Sequence, residues 1–69
     1  MIIGENIKKL RLEKRLTQNE IAKRLGVSCQ AVSKWENNVS APDISLLPEI
    51  ADFFGVSLDV LFGRSVSNK

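Results

Sequence analysis

Residues 17–37 place Thr, Ala, Gly, Ser and Val at intervals that permit very few local packings. Thr17 followed three residues later by Glu20 is a capping box, in which hydroxyl and carboxylate each serve the other residue's backbone N–H. The helix it starts runs to Leu25 and stops at Gly26, where positive φ is reached without a steric penalty. Only Gly26 and Val27 separate that stop from Ser28, the next start signal. The following helix runs from Cys29 to about Asn37. Two helices joined by so short a turn must cross steeply, and the crossing point must be small. Ala22 supplies it, and Val32 on the second helix packs back onto it. Trp35 and Glu36 share the buried stripe with Val32, so Trp35 is read as core and not as an aromatic platform.

The rest of the chain reads as three more short helices. The first spans about Gly4 to Lys14, with Ile3, Ile7 and Leu10 on its inner face. Asn37-Asn38 closes the third helix, since Asn tolerates the left-handed conformation. The fourth has two possible starts. Asp43 is an obvious cap but leaves Pro48 beyond the first turn, where its missing N–H costs a bond. Ser45 as cap keeps Pro48 within that turn. An irregular first turn leading into a regular helix to Phe54 reconciles them, with Leu47, Ile50, Ala51 and Phe54 inward. Gly55 ends it, Ser57 caps a last short helix with Leu58, Leu61 and Phe62, and Gly63 stops that. The expected fold is all-α: a compact five-helix domain over residues 1–63, followed by a polar tail over 64–69.

Sixty-nine residues make one domain with a small core. No histidine, no tyrosine and a single cysteine leave no nucleophile–base pair, metal cluster or internal disulfide. An enzyme is therefore not expected, nor a metal or other cofactor. The N-terminus lacks a secretion signal and no apolar run is long enough to span a membrane, so a cytoplasmic location is expected. Charge is uneven. Residues 1–34 hold eight Lys/Arg against three Glu, a balance of +5, whereas residues 35–69 hold two against five acids, a balance of −3. A polyanion would be attracted to the first half only.

The segment 18–37 thus has the grammar of a helix-turn-helix. Ile7-Lys8-Lys9-Leu10-Arg11, Leu16-Thr17-Gln18-Asn19-Glu20-Ile21-Ala22, Val32-Ser33-Lys34-Trp35-Glu36-Asn37, Pro42 and Ile50-Ala51-Asp52-Phe53-Phe54-Gly55-Val56-Ser57-Leu58 together resemble the phage-repressor and Cro-like (XRE) family of bacterial regulators. The resemblance implies a lambda-repressor-like fold that binds duplex operator DNA as a homodimer. Asn38, where many relatives carry Gly, and Pro48 depart from the pattern. The resemblance implies that Gln18 contacts phosphate, helped by main-chain N–H groups at its helix N-terminus. Asn37, Asn38 and Ser40 would lie against the other phosphate strand. Ser28, Cys29, Gln30, Ser33 and Lys34 would face base edges in the major groove. Gln30 is the first candidate for direct readout, because a Gln amide pairs bidentately with adenine. Lys34 fits a guanine edge or a phosphate equally well. Arg11 is expected to pair with Glu36 in a structural ion pair, as matching positions in the family do.

Two further features stay open at this level. Cys29, in a helix first turn near basic residues, has the setting of a reactive thiol. The favoured reading is a small residue that fills space or meets a thymine methyl. Phe53, Val60, Phe62 and Val66 lie off the expected stripes and can form an apolar patch. The patch suits a homodimer through the C-terminal helix region, or an interaction module such as an antitoxin that has lost its operator. Against the module stands a recognition helix that is short, polar and free of acids until Glu36. A longer parent chain with a sensing or oligomerising domain after Lys69 is also compatible with the sequence.

Overall fold

The computed structural model describes residues 2–63. Among them are five α-helices: α1 (Ile2–Glu13), α2 (Gln18–Leu25), α3 (Cys29–Glu36), α4 (Leu47–Phe54) and α5 (Leu58–Leu61), with a 3-10 turn at Ile44–Leu46 leading into α4. The expected tail at 64–69 and Val66 lie outside the described residues. Helix α1 begins two residues before the expected start and ends one residue earlier than expected. The chain leaves it through Arg15, at φ 58°.

Local chemistry accounts for most of the boundaries. Thr17 is extended and its hydroxyl accepts the Glu20 N–H at 3.0 Å, while the Thr17 N–H donates to Glu20 Oε1 at 2.7 Å. The backbone N–H of Thr17 holds the exposed Glu20 carboxyl below its ordinary range. This support is therefore complete above the ordinary carboxyl pKa and fades as pH falls through the lowered folded value. Gly26 and Gly55 end α2 and α4 in the left-handed region, at φ 72° and 70°. Asn38 takes the same conformation after α3, at φ 61°. The entry to α4 is resolved by the 3-10 turn. The Asp43 carboxylate accepts the Ser45 N–H at 3.1 Å and caps that turn. Pro48 then falls in the first turn of α4, where no backbone bond is lost.

All five helices contribute to one core. Ile7, Ile21, Val32, Ile50 and Leu61 are fully buried, with Ile3, Ala22, Trp35, Ala51 and Phe54 around them. In α5 only Leu61 is buried, and Leu58 and Phe62 are 40% and 42% exposed. The helix is four residues long. One turn has room for one inward side chain, and Leu61 takes it. Phe53 differs from its expected place in an open patch and is half-buried against the core. It packs edge-on against Phe54, ring centroids 5.1 Å apart, and Arg24 lies 5.3 Å over its ring. A cation over an aromatic face adds ~0.5–1 kcal/mol at such partly exposed sites, here joining α2 to α4.

Two contacts seat α1 on α3. At one end Gly4 is buried against the backbone of Trp35, so close that a side-chain methyl would overlap the Trp35 carbonyl. Towards the other end Arg11 meets Glu36. Helix α5 is tied back to α1 by Asn6 Nδ2, which donates to the Leu61 carbonyl at 3.0 Å.

Candidate nucleic-acid interface

Helix α3 presents a polar outer face because its apolar residues are consumed by the core. Val32 and Trp35 point inward, and Cys29 and Ala31 are half-buried against the same cluster. Gln30 and Lys34 are exposed and stand four residues apart, one helical turn. Ser33 lies half-buried between them, and its hydroxyl accepts from Asn37 Nδ2 at 3.3 Å. The Ser28 hydroxyl caps the helix by accepting the Ala31 N–H at 3.1 Å. Its own proton remains free to donate.

The residues on either side of this face have different chemistry. Asn37, Asn38 and Ser40 are exposed in the turn after α3. Beyond Lys34 there is no lysine or arginine up to residue 63, so any polar contact from this loop is made by neutral groups. Val39 and Ile44 in the same stretch are 69% and 80% exposed. On the other side, the N-terminus of α2 offers first-turn backbone N–H groups and the half-buried side chain of Gln18.

Among the described residues, Glu36 is the one charged group in the buried core. Its carboxylate takes Arg11 Nε on Oε2 at 2.7 Å and Arg11 Nη2 on Oε1 at 3.0 Å, a bidentate pair. The side chains are 12% and 2% exposed, so solvent screens the pair little. The hydrogen bond to Glu36 raises the Arg11 pKa above its already high ordinary value, against the opposing effect of burial. Arg11 Nη1 donates to the Leu16 carbonyl at 2.9 Å. Gln18 Nε2 donates to Glu36 Oε1 at 3.0 Å. Neither the Leu16 nor the Gln18 contact was foreseen from the sequence. The Gln18 amide therefore has an internal partner as well as a position at the surface.

Among the described residues no group of three His, Cys, Asp or Glu could hold a metal ion. No helix among them is long and apolar enough to cross a membrane.

Comparison with known proteins agrees with the geometry. The helix-turn-helix family profile matches residues 7–61. The chain is 41% identical over 61 residues to the HTH-type transcriptional activator BcrR of Enterococcus faecalis, covering 88% of this chain and 30% of that protein. It is 41% identical over 63 residues to the antitoxin PezA of Streptococcus pneumoniae, covering 91% of this chain and 40% of that protein. It thus spans less than half the length of either relative. The fold superposes on the P22 c2 repressor, crystallised with a synthetic operator, with a TM-score of 0.80 at 30% identity; the match covers 88% of this chain and 92% of that one. Profile, relatives and fold agree: the chain belongs to the XRE-type helix-turn-helix family of DNA-binding transcriptional regulators.

Proposed function

We propose that this chain is a repressor that binds a near-palindromic operator as a homodimer in the cytoplasm, with the helix of residues 28–37 in the major groove. The observation that carries the reading is the outer face of α3. Gln30 and Lys34 project from it, and no acid opposes a polyanion there because Glu36 is buried and paired. Gln30 is assigned to an adenine edge, and Lys34 to a guanine edge or a phosphate. Ser28, Cys29 and Ser33 complete the base-facing set. Gln18 anchors one phosphate strand, while Asn37, Asn38 and Ser40 anchor the other.

Homodimerisation is assigned to the C-terminal helix, where Leu58, Val60 and Phe62 are 40%, 38% and 42% exposed within five residues. A protein of this size has little reason to leave three such side chains open to water. The repressor assignment is supported by the likeness to the P22 c2 repressor. An activator role, as in the name of the Enterococcus relative, would keep the same DNA contacts.

Base reading and backbone anchoring separate experimentally. Gln18→Ala is expected to weaken binding to all duplexes alike. Gln30→Ala is expected to lose about tenfold on the preferred duplex, and little on one altered at a single base pair. Fluorescence anisotropy on a set of single-pair variants measures both. Equal losses for Gln30→Ala on every duplex would remove Gln30 from the base-reading set.

A further inference from the structure

Glu36 does more than neutralise Arg11. Its Oε1 receives two donors at 3.0 Å, Arg11 Nη2 from α1 and Gln18 Nε2 from α2, while the carboxylate itself belongs to α3. Three helices meet at one buried carboxylate, and one of the groups it holds is the side chain assigned to a DNA phosphate. We propose that Glu36 is a positioning residue for that contact. It fixes the Gln18 carboxamide with one Nε2 proton turned inward, leaving the second for a phosphate oxygen. The inference rests on the DNA-binding reading above.

The chemistry favours this over a passive neighbourhood. A carboxylate is an acceptor only, so it selects the amino side of the carboxamide and rejects the carbonyl side. A free surface glutamine turns its oxygen to an approaching phosphate as readily as its nitrogen, and must also lose rotamer freedom on binding. Here the ordering is complete before DNA arrives. An unpaired carboxylate at this place would repel a phosphate. Arg11 cancels that charge through its bidentate pair, so the assembled unit offers a donor without a net negative field. The Arg11 bond to the Leu16 carbonyl fixes the backbone two residues before Gln18.

The test is a coupling measurement on a random-sequence DNA duplex, with Gln18→Ala made in two backgrounds. One is the wild type. The other is Arg11→Met with Glu36→Leu, which removes both charges together and leaves neither buried alone. In the wild type Gln18→Ala is expected to lower affinity about tenfold. In the second background the same substitution should cost less than about threefold, because the amide is no longer held. Equal costs in both backgrounds would overturn the proposal, even with DNA binding intact. Failure of the wild type to bind any duplex would overturn the DNA-binding reading and this inference with it. A second readout needs no substituted protein. In the free wild type, NMR relaxation should find the Gln18 side-chain NH2 markedly more ordered than that of the exposed Asn19. Equal mobility of the two would contradict the positioning role.

Discussion

Gly4→Ala is expected to destabilise this domain by ~3 kcal/mol or more, although glycine-to-alanine changes inside helices normally stabilise by ~1 kcal/mol. The reversal comes from one contact. A methyl on residue 4 would overlap the carbonyl of Trp35, and the obstacle is helix backbone, which has no rotamer to move to. Helix α1 must lift off α3, opening the core around Ile3 and Ile7. Gly26 provides the contrast. It has φ 72° and nothing within 4 Å of the site of a side-chain methyl, so Gly26→Ala carries only the left-handed cost of about 1–2 kcal/mol. Urea unfolding followed by the fluorescence of Trp35, the single tryptophan, measures both. Equal costs for the two variants would show that α1 does not approach α3 as described.

Glu36→Ala is expected to cost ~3–5 kcal/mol, because it leaves the Arg11 guanidinium largely buried without its partner. Domains are stabilised by roughly 0.05–0.15 kcal/mol per residue, about 3–10 kcal/mol for a chain of this length, so such a loss removes a large fraction of the total. The paired replacement Arg11→Met with Glu36→Leu should lose far less, since no uncompensated charge remains. Chemical denaturation of the three proteins gives the comparison. If Glu36→Ala unfolded at the wild-type midpoint, the ion pair would have no structural weight. The stability effect and the positioning effect on Gln18 are separate. The first is read without DNA, the second as a coupling in DNA affinity.

These two sites also mark where the sequence could be read and where it could not. The capping box at Thr17 and Glu20, the caps at Ser28 and Ser57, and the stops at Gly26 and Gly55 involve residues close along the chain. Their chemistry is visible in any short window of sequence. The inner faces of α1 to α4 were legible for a related reason: each has two or more turns in which a spacing of three and four can declare itself. Helix α5 has one turn, too short for a spacing to define a face, and of its residues the structure buries Leu61 while Leu58 and Phe62 lie largely outside. Gly4 was missed because its constraint comes from Trp35, far along the chain. The bond from Gln18 to Glu36 was missed likewise, since nothing near Gln18 distinguishes a held amide from a solvated one. The ambiguous entry to α4 needed the 3-10 turn, in which Asp43 caps one segment and Pro48 begins the next.

The most direct test of the proposed function is selection of binding sites by the wild-type chain from a pool of random duplex DNA. A dimer that lays α3 and its symmetry mate into successive major grooves should enrich a near-palindromic consensus, its half-sites about 10 base pairs apart. Within each half-site at least one strongly preferred adenine should lose its preference when the selection is repeated with Gln30→Ala. A pool that emerges with no enriched sequence, or an enriched sequence without two-fold symmetry, would contradict the account.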